Sequence, residues 1–154
     1  MVAVKTIGHV ETDIPYENVR RSRWKSLSKV VVDKTYVNGL KGLEDYSHII
    51  VIYWMDRVSR RRKSLLLVRP RGKKDLPRVG IFATRNPSRP NPIAITVVEL
   101  VKILGNTLLV RGLDALNGSP VLDIKPYDYY DIFPRIRVPH WFKKVWAEKG
   151  VRRN

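Results

Sequence analysis

The chain has 154 residues and a mass of 17.9 kDa, with 30 Lys and Arg against 14 Asp and Glu and a formal charge of +16. One domain of that length can bury a core without staples, and the absence of cysteine excludes disulfides, zinc–thiolate centres and cysteine nucleophiles. A pI near 10.4 favours polyanionic partners, nucleic acid before others. No run approaches the roughly 18 apolar residues of a membrane span. The N-terminus carries no charged-then-apolar leader, so a soluble, cytoplasmic protein is expected.

Taken in chain order, short β-branched runs bounded by turn residues predict strands at Val2–Val10, Lys29–Val32, Ile49–Tyr53, Ser64–Val68, Val79–Ala83, Ile93–Leu104, Thr107–Arg111 and Val121–Ile124. Gly39–Asp45 reads as a short helix or turn leading into the third of these. Gly105-Asn106 reads as a two-residue hairpin turn. Trp141, Val145 and Trp146 sit at helical spacing, which predicts a C-terminal helix over about 139–149 packed on the body. Eight strands with few helices predict an all-β barrel or sandwich. There is no repeat, linker or second domain, so residues 1–154 are read as one domain with its core at about 7–131.

The basic residues cluster. Ten lie between Arg57 and Arg78 against the single acid Asp75, and such segregation of sign points to nucleic-acid contact rather than a merely solvated face. Arg60, Arg61, Arg62, Lys63, Arg69, Arg71, Lys73 and Lys74 are the candidate RNA-binding set. His9, His48 and His140 are far apart with no paired ligand spacing, so no metal is expected. The glycines form neither the dinucleotide nor the P-loop pattern, and no nucleophile elbow is present.

Three strand-end segments carry the remaining signals. Ile81–Leu100 sets Arg85, Asn86, Arg89 and Asn91 on a loop stiffened by Pro87, Pro90 and Pro92, so its polar groups lose little entropy on binding a ligand. Asp56 and Arg57 leave an apolar run and point to a cleft, whereas His48 reads as a core-edge histidine hydrogen-bonded to backbone. Asn117-Gly118-Ser119-Pro120 reads as a turn exposing N–H groups able to receive a carboxylate or ribose. Asp123 and Lys125 share one strand face, as a structural ion pair or as a polar pair lining a pocket. Asp131 follows Tyr127, Tyr129 and Tyr130, a carboxylate near aromatic faces.

Taken together, Ile7-Gly8, Gly39-Leu-x-Gly-Leu-Glu44, Ser47-His48-Ile, Val68-Arg-Pro-Arg71, Gly80-Ile-Phe-Ala-Thr-Arg85, Arg89-Pro-Asn-Pro-Ile93 and Asp123-Ile-Lys-Pro-Tyr127 resemble the TrmO (TsaA-like, formerly YaeB) family of tRNA methyltransferases. The resemblance covers most of the chain from Ile7 to about Asp131. It implies a single-sheet β-barrel binding S-adenosylmethionine without a Rossmann fold, a homodimer with the cofactor near the subunit interface, and N6-methylation of threonylcarbamoyladenosine 37 in threonine tRNA. By position it puts cofactor contacts on Asp56, Arg57, Arg85, Ile95, Asn117, Gly118, Ser119 and Pro120, with Val19, Arg20 and Arg21 nearest to a further N-terminal contact that has no clear counterpart here. Asn86, Ala94, Thr96, Asn117 and Ser119 depart from the family's usual Ser, Gly, Ser, Asp and Thr.

Methyl transfer from a sulfonium is an in-line displacement in which alignment supplies most of the rate. The carbamoylated N6 is a poor nucleophile, so a carboxylate that takes its proton would help, and Asp123 and Asp131 are the candidate bases. Two other readings compete: a non-catalytic RNA-binding β-barrel, and an S-adenosylmethionine enzyme acting on a different substrate.

Overall fold

A computed structural model describes residues 3–19, 23–58 and 65–147. Period-2 burial builds its walls. In Leu27–Val32 (β2) the side chains of Ser28, Val30 and Val32 are buried while Leu27 and Lys29 face out. Gly8–Glu11 (β1) and Thr107–Arg111 (β7) alternate in the same way, burying Val10, Leu108 and Val110. His48–Trp54 (β3) and Ile93–Leu104 (β6) are paired along their length, from His48↔Glu99 to Trp54↔Ile93. Pro120–Pro126 (β8) runs along the other side of β3.

These six strands form one closed antiparallel barrel in the order β1-β2-β7-β6-β3-β8. The seam is short: Gly8↔Val121 and His9↔Pro120 join β1 to β8. Closure removes the unpaired edges that an open sheet of this size would present. Gly8 permits the close approach of β1 to β2, because a Cβ there would lie 2.1 Å from the Val31 carbonyl oxygen. Val10, Val30, Val51, Val98, Leu108, Val110 and Val121 fill the interior with no measurable exposure. Each such side chain contributes about 1.5–3 kcal/mol through burial.

The predicted hairpin joins β6 to β7, with Gly105 in the left-handed region at φ 61°. Asn106 fastens its tip, donating from Nδ2 to the Val32 carbonyl at 2.7 Å. The predicted 39–45 turn is a pair of 3₁₀ helices, Lys34–Leu40 and Leu43–Asp45. Helix α1 spans His140–Ala147; it buries Val145 and ties Lys144 to Asp75 at 2.9 Å.

Three predicted strands are shorter than expected. The first starts only at Gly8, where the ladder with β2 and β8 begins; residues 3–7 have no regular structure, and residue 2 lies outside the described residues. Ser64–Val68 contracts to Leu67–Val68 (β4), with residue 64 outside the described residues. Val79–Ala83 contracts to Val79–Gly80 (β5), and Ile81–Ala83 is a 3₁₀ turn. β4 and β5 pair only with each other, as a two-stranded ribbon beside the barrel.

A register shift between β3 and β8 shapes the mouth of the barrel. Ile52 pairs with Asp123, but the next residue, Tyr53, pairs with Val121, leaving Leu122 as the extra residue. Such bulges re-aim side chains next to functional sites. Here Tyr53 and Val121 turn inward, while Ile52 and Asp123 share the outer wall.

Candidate functional site

Four segments meet where β3 leaves the barrel. Tyr53 ends the inward face of β3, and Met55, Asp56, Arg57 and Val58 continue past it. Asp114, Leu116 and Ser119 come from the connection between β7 and β8. Tyr16, Glu17 and Val19 come from the turn after β1, and Pro87 from the proline-rich loop. They enclose a cleft of about 430 Å³, within the range of nucleoside-sized ligand sites. The two segments singled out in the sequence, Asp56-Arg57 and Asn117–Pro120, are joined directly: Arg57 Nη2 donates to the Asn117 carbonyl at 2.8 Å.

Asp114 organises the cleft wall. Its Oδ1 accepts from the Tyr53 hydroxyl at 3.0 Å and from the Thr96 hydroxyl at 2.5 Å, and its Oδ2 meets Arg23 Nη1 at 3.0 Å. Thr96 and Tyr53 both point inward, from paired strands, so the barrel itself sets this geometry. Burial first, then the neighbouring carboxylate, pushes the Tyr53 hydroxyl far above the ordinary phenol value, keeping it neutral. Arg23 is seated by its neighbour. Its guanidinium lies 5.2 Å from the Trp24 ring, and that ring packs where a Cβ on Gly112 would collide with it.

Asp114, Tyr53 and Arg23 were not among the sequence-derived site residues. A signal existed for Asp114: it is a carboxylate between Leu113 and Ala115, both buried, and such a residue needs partners. Nothing local identifies those partners, because Tyr53 lies 61 residues away and Thr96 18.

The Asn117–Pro120 turn reaches the cleft but not as expected. The Gly118 N–H is taken by the Val10 carbonyl at 2.7 Å and the Ser119 N–H by the Leu116 carbonyl at 3.0 Å. Pro120 has none to give. The expected nest of open donors is therefore closed, since the turn docks on β1 and must satisfy its backbone there. The Asn117 side chain is engaged as well, accepting the Thr12 N–H at 3.1 Å.

The proline-rich loop is stiff through its own polar groups as much as its prolines. The Thr84 hydroxyl donates to the Ile81 carbonyl, Asn86 Oδ1 accepts the Ser88 N–H at 2.8 Å, and Arg89 Nη1 donates to the Thr84 carbonyl. Pro92 is fully buried and accepts the Met55 N–H at 2.8 Å, which fixes the loop to the end of β3. Arg85 is exposed and does not line the cleft.

Three predicted site residues lie elsewhere on the chain. Ile95 is on the outer wall of the barrel, half exposed and paired with Ile52. Asp123 is on the same wall, in an ion pair with Lys125 at 2.7 Å. Asp131 caps its own turn, accepting the Asp128 N–H while Asp128 accepts that of Tyr130. Neither carboxylate lines the cleft of its own chain. His48 meets the Ser47 hydroxyl at 2.9 Å and packs edge-on against Tyr127 rather than bonding to backbone.

The basic set divides. Arg20, Arg21, Arg60, Arg61, Arg62 and Lys63 lie outside the described residues. Arg69 works on its own loop, with Nη1 donating to the carbonyls of Lys74 and Leu76. Arg71 and Lys74 are exposed on the same loop, and Lys73 is half-buried. Among the described residues, no cluster of His, Asp and Glu is placed to hold a metal, and no helix is long and apolar enough to cross a membrane.

A family model for the tRNA-methyltransferase O N-terminal domain matches residues 5–132, which takes in the whole barrel and every segment of the cleft. The chain belongs to this family. It is 44% identical over 127 residues to the "S-adenosyl-L-methionine-binding protein" of Archaeoglobus fulgidus, covering 80% of this chain and 88% of that one. It is 36% identical over 117 residues to the mouse "tRNA (adenine(37)-N6)-methyltransferase", covering 74% of this chain and 26% of the mouse protein. A solved structure described as TrmO superposes with a TM-score of 0.72 at 30% identity, over 89% of this chain and 62% of that one. TrmO from Pseudomonas aeruginosa gives 0.68 at 27% identity, over 89% and 61%. The chain thus spans about three-fifths of the solved TrmO chains and a quarter of the mouse protein.

Proposed function

We propose that this protein is an S-adenosylmethionine-dependent tRNA methyltransferase that methylates N6 of threonylcarbamoyladenosine 37 in threonine tRNA. The observation that carries the reading is the 2.8 Å contact between Arg57 and the Asn117 carbonyl. It closes a single cleft from the two segments in which family membership expects the methyl donor. The lining suits that ligand: Tyr16, Met55 and Leu116 offer faces for an adenine, Asp56 and Glu17 acceptors for hydroxyl or ammonium groups, and Arg57 a partner for a carboxylate.

When bound, S-adenosylmethionine supplies an electrophilic methyl group. The chain's part is to hold nucleophile and methyl in line and to exclude water. Tyr53, neutral and oriented by Asp114, forms a fixed floor for that purpose. Arg71, Lys73 and Lys74, with Arg60–Lys63, are assigned to tRNA phosphates, and Tyr129 and Tyr130, each over nine-tenths exposed, to unstacked bases.

The outer wall supports a homodimer. Ile93, Ile95 and Val97 of β6 are about 40–50% exposed in one continuous row beside Ile52 of β3, an apolar strip of the kind that marks an interface. Pairing through it puts Ile95 and Asp123 at the subunit boundary, the arrangement in which Asp123 or Asp131 would serve as base for a partner's cleft.

Nucleoside analysis of threonine tRNA after incubation with the protein and methyl donor tests the reading. Methylated threonylcarbamoyladenosine is expected, with no product on tRNA lacking the threonylcarbamoyl group. A non-catalytic RNA binder would give no methyl product and no calorimetric heat with S-adenosylmethionine. A methyltransferase for another substrate would bind the donor yet lack the steep salt dependence of tRNA affinity that phosphate contacts impose.

A further inference from the structure

We propose that Asp114 makes the cleft select the cationic methyl donor over the neutral-sulfur product, and so helps the product leave. The inference rests on the methyl-donor reading of the cleft. Residue 117 supplies no charge, and both its side-chain and main-chain oxygens are engaged, by Thr12 and Arg57. Asp114 lines the cleft with its side chain about 30% exposed. Its ion-pair partner Arg23 is not a lining residue, so Asp114 rather than the guanidinium borders the ligand space. Tyr53 adds to this: its proton is committed to Asp114 and so is not offered to a ligand. Among the described lining residues, Glu17, Asp56 and Asp114 outnumber Arg57, on a chain whose formal charge is +16.

Three donors already fill most of the Asp114 hydrogen-bonding capacity. A sulfonium is indifferent to that. It has no N–H or O–H to donate, and its attraction to a carboxylate is Coulombic. In the transfer the N6 lone pair forms the new C–N bond, the C–S bonding pair stays on sulfur, and the N6 proton is released. The donor therefore loses one positive charge. The attraction of Asp114 is present for the donor and absent for the thioether.

Isothermal titration of the full chain with S-adenosylmethionine, with S-adenosylhomocysteine, and with an analogue bearing an amine in place of the sulfonium tests this. Both cations are expected to bind at least about tenfold more tightly than the thioether. In Asp114→Asn that ratio should fall to within about twofold of unity, while Tyr53→Phe, which keeps the charge, should preserve it. A ratio that survives in a folded Asp114→Asn variant overturns the proposal. So does a thioether that binds the wild-type chain as tightly as the donor, a result that needs no variant to fold. Absence of heat with all three ligands would instead sink the methyl-donor reading itself.

Discussion

The two faces of β6 look alike in sequence and behave differently. Ile93-Ala-Ile-Thr-Val-Val98 is apolar at nearly every position, the pattern of a strand buried on both sides. Only Ala94, Thr96 and Val98 enter the barrel; Ile93, Ile95 and Val97 line its outer wall. The inner face has a full set of partners, including the one polar residue that reaches Asp114. The outer face has its partners on one side only, from β3. A strand can therefore carry two apolar faces for two reasons: one to close a core and shape a cleft, the other to meet a second surface.

Mutations can pull the two faces apart. Asp114→Ala should have the largest effect on stability. It leaves the buried Tyr53 and Thr96 hydroxyls and the half-buried Arg23 without their common acceptor, at a cost of about 3 kcal/mol in urea denaturation. Val98→Ala, deeper on the same inner face and fully buried, should cost about 2 kcal/mol. Tyr53→Phe should cost about 1 kcal/mol at neutral pH.

Tyr53→Phe should also change the alkaline limb. The folded-state value of Tyr53 lies above the ordinary phenol value of 10.0, so its contribution is fully present below pH 10 and declines as pH rises beyond it, when the unfolded chain ionises first. The melting temperature of the wild-type chain should accordingly fall more steeply above that pH than that of the Phe variant. Ile95→Asp, on the outer face, should change monomer stability by no more than about 0.5 kcal/mol. Sedimentation should nevertheless show the proposed dimer lost. An unchanged association state would break the comparison at its outer half.

The smallest effect belongs to a pair remote from both faces. Lys144 holds the Asp75 carboxyl below its ordinary value of 3.8. The contribution is present above that pH and lost as the solution is acidified through the folded-state value. Because the pair is exposed, Lys144→Ala should loosen α1, read by helical circular dichroism, with little change in global melting.

Much of the architecture was legible beforehand. The eight strands, the Gly105-Asn106 turn and the helix at 140–147 all follow from local periodicity and turn chemistry. The ribbon strands β4 and β5 came out short because each has only the other to pair with. The family segments were legible too, yet the reading of Asn117–Pro120 as open donors failed. Whether an N–H is free depends on Val10, more than 100 residues away.

What the sequence determined by itself is therefore the list of elements, the basic character of the chain, and the segments that would carry chemistry, because these depend on residues close along the chain. The tertiary structure decided which side chains meet. Barrel closure places β7 beside β2 and β8 beside β3. Strand alternation then sends Tyr53 inward to Asp114, and a one-residue bulge at Leu122 turns Val121 inward while Asp123 stays outward against Lys125. Side-chain direction reverses at every residue of a strand, so a single register step separates a cleft wall from an outer surface.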